Sequence, residues 1–217
     1  MLTIKNLSYS YTDGGYKRTI FEDVNYTFSN GKIYMIMGYS GSGKTTLLSL
    51  LSGLEKSKQG EVLYNNKNIN EIGLSEFRRH KVAIVFQQYN LISYLNGIQN
   101  VLLDIPIQEN DRVKKAIRIL EFVGISEYKG KRNIAKLSGG EQQRIAIARA
   151  IASDADIIFA DEPTGNLDKE TSLEIMNIFD YISHELNKTV IMTTHNMELS
   201  EFADKKIIIK HLNINEF

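Results

Sequence analysis

Short runs of almost entirely apolar residues recur along the chain. The runs are Ile33–Met37, Val82–Phe86, Ile157–Ala160, Val190–Thr193 and Ile207–Ile209. Apolar residues at nearly every position, rather than at alternate positions, are typical of strands covered on both faces, as in a parallel sheet between helices. The runs therefore predict an α/β core with a mostly parallel sheet.

The N-terminal segment has a different pattern, in which apolar and polar positions alternate. Leu2–Leu7 and Val24–Phe28 both follow it. A period of two favours antiparallel strands with one face on the core and the other in water. We therefore expect an antiparallel β subdomain at this end of the chain.

Helical periodicity occurs between the apolar runs. The predicted helices are Lys44–Ser52, Asp111–Val123, Glu141–Ala152 and Asp168–Leu186. The spacing groups Val113, Ile117, Leu120 and Phe122 on one side of the second helix, and Leu173, Met176 and Phe179 on one side of the fourth.

The apolar-strand pattern is absent between Phe86 and Ala152, which predicts a helical insertion in the α/β domain. The chain has two prolines and no linker rich in Ser and Gly, so we expect one domain over 1–217. Its α/β core, with the β subdomain, would comprise 1–87 and 153–217, and its helical subdomain 88–152.

Composition excludes several classes of protein. The 217 residues carry 26 basic and 26 acidic side chains, so the zero net charge argues against bulk attachment to nucleic acid or an anionic membrane. Cysteine is absent, which excludes disulfides, thiolate metal sites and cysteine nucleophiles. No apolar run approaches the roughly 18 residues that span a bilayer, and no signal peptide is found. We therefore expect a cytosolic protein unless a partner holds it at a membrane.

A glycine-rich loop follows the first core strand. Residues 38–45 read Gly-Tyr-Ser-Gly-Ser-Gly-Lys-Thr and match G-x-x-x-x-G-K-[ST]. Glycines allow successive backbone N–H groups to point at phosphate oxygens, and the helix N-terminus adds partial positive charge. Lys44 would reach the β- and γ-phosphates and the Thr45 hydroxyl would bind Mg²⁺. The preceding strand and following helix favour this interpretation over a ligand-free turn.

Two acids end a later core strand. Asp161 and Glu162 directly follow Ile157–Ala160. Ligands of open α/β sheets bind at the carboxyl ends of strands, where both acids would lie. Asp161 would hold Mg²⁺ and Glu162 would polarise the attacking water. By themselves the two could equally be carboxylates facing solvent.

A second glycine-rich turn occurs at Leu137–Arg144, which reads Leu-Ser-Gly-Gly-Glu-Gln-Gln-Arg. It lies at a predicted helix N-terminus and is therefore a second anion-binding turn. The string resembles the signature motif of ABC ATPases, and the resemblance extends over nearly the whole chain in the right order. It implies the P-loop NTPase fold of that family, ATP and Mg²⁺ as cofactors, and hydrolysis of ATP coupled to transmembrane transport.

Other positions match further motifs of the family. Tyr11 resembles the aromatic residue that stacks on adenine, with Tyr9 as an alternative. Gln87 resembles the Q-loop glutamine, and only its position favours it over Gln88. His195 resembles the switch histidine; a lone histidine would otherwise more often be a structural residue.

Together the motifs assign three sets of site residues. The catalytic residues are Glu162, His195 and Gln87. The Mg²⁺ ligands are Thr45, Gln87 and Asp161. The nucleotide-binding residues are Tyr11, Gly38, Ser40, Gly41, Ser42, Gly43, Lys44, Thr45, Thr46, Ser138, Gly139, Gly140, Glu141 and, from a segment Gly165–Asp168 that resembles the D-loop, Asp168.

Within the ABC ATPases, Asp161–Asp168 and Phe86–Ile92 look like the lipoprotein-release and macrolide-export branch. That branch also includes ATPases of antimicrobial-peptide systems and of a cell-division complex. The chain departs from the family pattern at two positions. Tyr39 is bulkier than the usual residue, and Ile134 stands where proline is common.

The resemblance also implies partners. Two copies would enclose two ATP molecules, each between the phosphate loop of one chain and the signature of the other. Integral membrane permease subunits would dock on the helical subdomain, near the apolar candidates Tyr89, Leu91, Ile92, Tyr94 and Leu95. The chain would then lie at the cytoplasmic face of the membrane, without inserting into it and without binding nucleic acid.

Other ATPase functions compete with transport. A soluble assembly ATPase, of the iron–sulfur type, is disfavoured only by the Asp161–Asp168 string, and a cell-division ABC ATPase is a further alternative. A nucleotide sensor without useful turnover is disfavoured because Glu162 and His195 are both present.

Overall fold

The computed structural model describes residues 1–14, 16–210 and 212–216, which contain ten strands and eight α-helices. The strands are β1 (Leu2–Asp13), β2 (Tyr16–Phe28), β3 (Ile33–Met37), β4 (Gln59–Tyr64), β5 (Lys67–Asn68), β6 (Val82–Val85), β7 (Ile157–Asp161), β8 (Thr189–Thr193), β9 (Lys205–Lys210) and β10 (Asn213–Glu216). The helices are α1 (Lys44–Leu51), α2 (Ile69–Ile72), α3 (Leu74–Lys81), α4 (Gly97–Leu102), α5 (Arg112–Phe122), α6 (Glu127–Gly130), α7 (Gly139–Ala152) and α8 (Lys169–His184). Ile134–Lys136 and Met197–Phe202 form 3₁₀-helices.

The five apolar runs form strands of one sheet, which confirms the predicted α/β core. Its strand order is β10-β9-β3-β8-β7-β6. All neighbours are parallel except β10, which pairs antiparallel with β9. Thr193 of β8 lies opposite Ile36 of β3 and opposite Asp161 of β7. The carboxyl ends of these three strands therefore meet at one edge of the sheet.

The apolar runs are continuous because both faces of this sheet are buried. All five residues of β3 are buried, and they alternate between two hydrophobic clusters. Met35 belongs to the cluster that contains α7 and α8, whereas Tyr34 and Ile36 belong to the cluster that contains α1 and the β subdomain. A polar group buried here costs free energy unless it gains a hydrogen-bond partner, as the Tyr34 hydroxyl does by accepting from the Ser29 N–H at 2.6 Å.

The N-terminal alternation produces a second, antiparallel sheet of order β2-β1-β4-β5, as predicted. Leu2 pairs with Phe28, and at the far end of the hairpin Tyr11 pairs with Arg18. The inward residues, such as Leu7 and Phe21, are fully buried against α1. This packing holds the Tyr11 end of the hairpin beside the start of α1.

The segment 87–152 is fully described and contains α4 to α7 and one 3₁₀-helix, with a single isolated β-bridge and no longer strand. The predicted helical insertion is therefore confirmed. Its helices pack closely where small residues meet: a Cβ on Gly97 would lie 3.0 Å from Ile145 Cδ1 and 3.2 Å from the Gly130 carbonyl oxygen.

Helical spacing identified only part of each buried face. Ile117, Leu120, Met176 and Phe179 pack against the core, but Val113, Phe122 and Leu173 are exposed. Small residues take the buried positions instead: Ala116 in α5 and Ser172 in α8. Close helix packing selects for small side chains, which a search for large apolar residues does not register.

The apolar candidates after Gln87 are less exposed than expected. Tyr89 and Leu91 pack against the hydrophobic core, and Ile92 and Leu95 are half-buried. Only Tyr94 of this set stands out into solvent, with 81% of its surface exposed. Among the residues that the structure describes, no helix combines the length and the apolar character needed to cross a bilayer.

Candidate functional site

A cavity of about 470 Å³ opens at the carboxyl edge of the main sheet. The β subdomain contributes Tyr11, Arg18 and Ile20 to its wall, and Glu162 and His195 lie on another side. The rest of the wall is the glycine-rich loop and the first turn of α1, through Ser40, Gly41, Gly43, Lys44, Thr45 and Thr46. The structure thus brings together residues from four separate parts of the sequence.

Two glycines of the loop adopt the left-handed backbone conformation that glycine favours. Gly41 and Gly43 have φ angles of 77° and 104°, in the left-handed region that residues with a Cβ rarely adopt. A Cβ on Gly43 would also lie 2.6 Å from Ile20 Cγ2. Gly43 is therefore required both by its dihedral angles and by the close approach of β2. Ser42 is buried within the loop, and a Cβ on Gly38 would lie 2.5 Å from its Oγ.

Lys44 is buried at the base of this loop, with only 8% of its surface exposed. Its ammonium donates to the carbonyl oxygens of Gly38 at 3.0 Å and Tyr39 at 3.3 Å. An ammonium group has three donors, and no carboxylate lies within ion-pair distance of Lys44 among the described residues. A buried cation surrounded by backbone dipoles is suited to an anionic ligand, as a triphosphate is.

Thr45 and Asp161 meet at the bottom of the site, although 116 positions separate them. Thr45 Oγ1 donates to Asp161 Oδ2 at 3.1 Å, and Thr193 Oγ1 donates to Asp161 Oδ1 at 2.6 Å. Hydroxyl and carboxylate oxygens are ligands that Mg²⁺ prefers. No cluster of three His, Cys, Asp or Glu side chains able to hold a metal occurs in the described part of the chain. Mg²⁺ bound with a nucleotide commonly takes one or two protein oxygens and completes its shell with phosphate and water.

Glu162, the residue after Asp161, has an unusual backbone conformation. Its φ angle is 45°, and its backbone N–H donates to Thr193 Oγ1 at 3.0 Å. Its carboxylate Oε2 lies 3.1 Å from His195 Nδ1. The left-handed turn directs the side chains of Asp161 and Glu162 to different partners, as the sequence interpretation requires. Thr193, which the sequence analysis did not identify, holds both acids.

Gln87 lies close to Gly165, as the Glu162 side chain does. A Cβ on Gly165 would lie 3.1 Å from Gln87 Nε2 and 3.4 Å from Glu162 Oε2, so both side chains flank Gly165. Gln87 makes no hydrogen bond to Asp161 or Thr45 among the described residues. Gln88 is exposed, whereas Gln87 is half-buried. The role of Gln87 as a Mg²⁺ ligand therefore stays a prediction.

The two tyrosine candidates differ in accessibility. Tyr11 is 45% exposed, lines the cavity, and places its hydroxyl 3.3 Å from Thr46 Oγ1. Tyr9 is 4% exposed and packs in the hydrophobic core, with burial raising the pKa of its phenol to about 12. Of the two, only Tyr11 offers an aromatic face to a ligand.

The signature segment does not line this cavity. Ser138 caps α7 through two reciprocal hydrogen bonds with Glu141: Ser138 N–H donates to Glu141 Oε2 at 2.8 Å, and Glu141 N–H donates to Ser138 Oγ at 3.3 Å. The Lys129 ammonium, 2.7 Å from Glu141, is the main cause that lowers the pKa of this carboxyl. Such an arrangement fixes the helix N-terminus and its free N–H groups.

The two signature glycines allow other segments to approach. A Cβ on Gly139 would lie 2.8 Å from the Tyr89 hydroxyl oxygen, and one on Gly140 would lie 2.8 Å from Thr171 Cγ2. Asp168, also assigned to nucleotide binding, lies on this side and outside the cavity. Its carboxylate caps α8 by accepting from the Thr171 backbone at 2.9 Å and hydroxyl at 2.7 Å, which lowers its pKa. Five assigned residues of these two segments, Ser138, Gly139, Gly140, Glu141 and Asp168, therefore do not line the cavity of their own chain.

The two departures from the family pattern are accommodated. Tyr39 points outward with 70% of its surface exposed, so its bulk meets no steric limit. Ile134 is 4% exposed and begins the 3₁₀-helix before the signature, where Asn133 caps that helix. Burial thus holds this approach to α7 in place without a proline.

Sequence reasoning missed Arg18, Ile20 and Thr193. Arg18 and Ile20 lie in an alternating strand, where nothing local marks them as site residues. Thr193 ends an apolar run, and its position is informative only once β8 is known to lie between β3 and β7.

Comparisons with known proteins agree with this geometry. A sequence model of the family described as ABC transporter matches residues 21–165. The chain is 42% identical over 210 residues to the uncharacterized ABC transporter ATP-binding protein YclH of Bacillus subtilis, covering 95% of this chain and 92% of that protein. It is 37% identical over 218 residues to the lipoprotein-releasing system ATP-binding protein LolD of Rickettsia felis, covering 99% and 97%.

Solved structures give the same result. The dimeric post-hydrolysis state of the ATP-binding cassette MJ0796 of Methanocaldococcus jannaschii, bound to ADP and Pi, superposes with a TM-score of 0.90 at 35% identity. The superposition covers 100% of this chain and 98% of that one.

Proposed function

This chain belongs to the ABC transporter family as an ATP-binding, ATP-hydrolysing subunit, and we propose that it binds Mg-ATP between Tyr11 and Lys44 and hydrolyses it with Glu162. The observation that carries this assignment is the hydrogen bond from Thr45 to Asp161, which lies next to the loop in which Lys44 is buried. These groups come from the loop after β3, from α1 and from β7, and each is of the type that a magnesium nucleotide requires.

Binding uses the loop, Lys44 and Tyr11. Backbone N–H groups of 40–46 surround the phosphates, together with the side chains of Ser40, Ser42 and Thr46. Lys44 exchanges a backbone carbonyl partner for phosphate oxygens. Tyr11 provides the exposed aromatic face on which adenine stacks. When bound, Mg²⁺ neutralises phosphate charge, and Thr45 and Asp161 are the side chains that hold it.

Hydrolysis depends on Glu162. Its carboxylate orients the attacking water and accepts a proton from it, because Glu162 lines the cavity whereas Asp161 is engaged by Thr45. His195 holds the Glu162 side chain through the 3.1 Å contact, and Gln87 lies near Gly165, as the Glu162 carboxylate does. The Thr193 hydroxyl keeps both acids in place, because it donates to the Asp161 carboxylate and accepts from the Glu162 backbone N–H.

The full site requires two copies of the chain. The signature Ser138–Glu141 and Asp168 do not line the cavity of their own chain, yet the signature is built as an anion-binding helix terminus. In a dimer the signature of one protomer closes the cavity of the other over the nucleotide. Loss of the γ-phosphate removes a shared ligand and allows the dimer to reopen.

Membrane permease subunits dock at the helical subdomain, residues 88–152. A cleft of about 950 Å³ lies between the free edge of β6, with the end of α3, and the connection from α4 to α5. Its rim carries Leu103 and Ile107, which are 52% and 82% exposed. Exposed apolar residues beside a deep cleft are typical of a surface that another protein covers. The dock places the chain at the cytoplasmic face of the membrane.

The proposal for the transported substrate rests on the resemblance to one branch of the family. The likeness to lipoprotein-releasing ATPases supports extraction or export of a lipoprotein, and peptides or drugs are further candidates of that branch. A cell-division or iron–sulfur assembly role is the second candidate function.

Co-expression with candidate permeases tests this assignment. The chain should sediment with membranes only when its permease is present, and ATP turnover should rise in that complex. A Leu103→Asp/Ile107→Asp variant should lose sedimentation while keeping the ATPase activity of the isolated subunit, since both residues lie outside the 470 Å³ cavity. Full sedimentation of that variant would contradict docking at the cleft, and stable association with soluble assembly proteins would favour the second candidate.

A further inference from the structure

Arg18 is the charged side chain that the β subdomain contributes to the described wall of the cavity. It lies on β2 directly opposite Tyr11 of β1. Its guanidinium reaches across the cavity wall, where Nη2 donates to the Gly41 carbonyl oxygen at 3.0 Å. Arg18 therefore bridges the end of the cavity at Tyr11 and the middle of the phosphate loop.

The chemistry of this group exceeds what a loop contact needs. A guanidinium carries five N–H donors in a planar fork and remains charged at all physiological pH values. Its hydrogen-bond acceptor among the described residues is the Gly41 carbonyl, through a single nitrogen. The same fork geometry matches two phosphate oxygens at once.

We propose that Arg18 binds the α- or β-phosphate of the nucleotide, an inference that rests on the nucleotide site proposed above. Tyr11 marks the position of the base, and its hydroxyl lies 3.3 Å from Thr46 Oγ1. Arg18 stands beside Tyr11 and touches the loop at Gly41, so it faces the phosphates nearest the sugar. Lys44 lies deeper, beneath the loop, and serves the opposite end of the phosphate chain.

A purely structural role makes a different prediction. If Arg18 only joins β2 to the phosphate loop, its removal lowers the thermal stability of the ligand-free protein and leaves nucleotide affinity unchanged. If Arg18 binds phosphate, removal lowers the affinity for every nucleotide that has α- and β-phosphates. Lys17 is a matched control, because it is the exposed neighbour on β2 and does not line the cavity.

The test is calorimetric binding of Mg-ATP, Mg-ADP and Mg-2′-deoxy-ATP, with the Glu162→Gln substitution present throughout to prevent hydrolysis. We expect Arg18→Gln to raise the Kd of all three about tenfold, equivalent to about 1.4 kcal/mol. Arg18→Lys should recover part of the loss, because it keeps the charge without the fork. The loss should shrink in high salt, since the site is open to solvent. Lys17→Gln should leave all three constants unchanged.

Several results would overturn the inference. Unchanged Kd values for Arg18→Gln, with or without a lower melting temperature, would reduce Arg18 to a structural contact. A loss for ATP but not ADP would place the contact at the γ-phosphate, and a loss that spares 2′-deoxy-ATP would place it at the ribose. An equal loss of nucleotide affinity in Lys17→Gln would indicate that the positive charge of this strand, rather than a direct contact by Arg18, attracts the nucleotide. The Lys44→Ala variant distinguishes failure of the proposed nucleotide site from failure of the Arg18 contact. Normal nucleotide binding by Lys44→Ala would reject the nucleotide site itself. Weakened binding by Lys44→Ala together with normal binding by Arg18→Gln would reject only the inference about Arg18.

Discussion

His195 Nδ1 lies 3.1 Å from Glu162 Oε2, although 33 positions separate the two residues in the chain. The contact exists because β7 and β8 are adjacent and parallel, so that the residues after both strands emerge at the same edge. The Glu162 side chain is 23% exposed and that of His195 63%, so the carboxylate faces a cavity that water can enter. The pair therefore joins the proposed general base to the residue proposed to orient it.

Replacement of this base should separate binding from turnover. In Glu162→Gln the amide keeps the shape of the side chain but does not accept the proton, so ATP turnover should fall by about 10²- to 10⁴-fold. ATP binding should persist, because Lys44, Thr45 and Asp161 are unchanged. Phosphate release and ATP calorimetry measure the two effects, with Glu185→Gln, an exposed acid at the end of α8, as the control.

The same variant should accumulate a closed dimer. Light scattering with Mg-ATP should report twice the 24.7 kDa chain mass, and with ADP the monomer. Adding Ser138→Arg should abolish the dimer while leaving ATP binding by the monomer intact, because Ser138 does not line the cavity of its own chain. A dimer that survives Ser138→Arg would contradict sharing of the nucleotide through the signature.

Lys44→Ala should weaken ATP binding and nearly abolish turnover. Hydrogen bonds from a charged donor to phosphate are worth about 1.5–3 kcal/mol, which corresponds to about a ten- to hundredfold loss of affinity. The Lys44 ammonium bonds only to the Gly38 and Tyr39 carbonyl oxygens within the described structure, so its removal leaves no buried anion unpaired. Melting temperature should therefore change little. Unchanged calorimetric affinity for ATP would refute the assignment.

Tyr11→Ala should weaken ATP binding, whereas Tyr11→Phe and Tyr11→Trp should largely preserve it. Stacking of an aromatic ring on a base contributes about 1–3 kcal/mol and does not need the hydroxyl. Tyr16→Ala is the control, because Tyr16 lies on the same hairpin with 85% of its surface exposed and does not line the cavity. Equal losses in Tyr11→Ala and Tyr16→Ala would argue against stacking.

Thr193→Val should impair both stability and turnover. The substitution removes the 2.6 Å hydrogen bond to Asp161 and leaves the Glu162 N–H without its acceptor. An unpaired buried group costs about 1–3 kcal/mol in the free energy of unfolding. Turnover should also require more Mg²⁺, since Asp161 loses a positioning contact. Thr189→Val at the other end of β8 is buried and makes no side-chain hydrogen bond within the described structure, so denaturation and Mg²⁺ titration should show smaller changes for it.

His184 should make stability depend on pH. Partial burial opposes its charge, but Asp204 and Asp180, at 3.1 and 3.0 Å, outweigh that effect and raise its pKa above 6.5. A raised folded-state pKa stabilises the fold below about pH 6.5, and the contribution disappears as pH rises through the folded-state value. His184→Gln should therefore lower the melting temperature more at pH 5.5 than at pH 8.5. The loss in the free energy of unfolding should differ by about 0.5 kcal/mol between the two pH values, because these side chains are partly exposed. An equal effect of the substitution at both pH values would contradict the prediction.

The core strands and the glycine-rich loop were predictable because their signals are local. A strand buried on both faces needs apolar residues at successive positions, so Ile33–Met37 and Ile157–Ala160 identify themselves without knowledge of their neighbours. The loop 38–45 is likewise specified by its own glycines, whose dihedral angles few other residues adopt. Asp161 could be assigned because a strand that ends in an acid places it at the ligand-binding edge of an α/β sheet.

The sequence by itself thus determined the core strands, four of the eight helices and the family, and it supplied most of the residues proposed to bind phosphate and metal. The tertiary structure decided which of these residues share one cavity. Thr193 became a site residue only because β8 lies between β3 and β7, and Arg18 because the hairpin pairs it with Tyr11. The separation of Ser138–Glu141 from the cavity also depends on how distant elements pack. Strand order and packing are set by contacts between residues far apart in the chain, which the residue pattern of any single segment does not record.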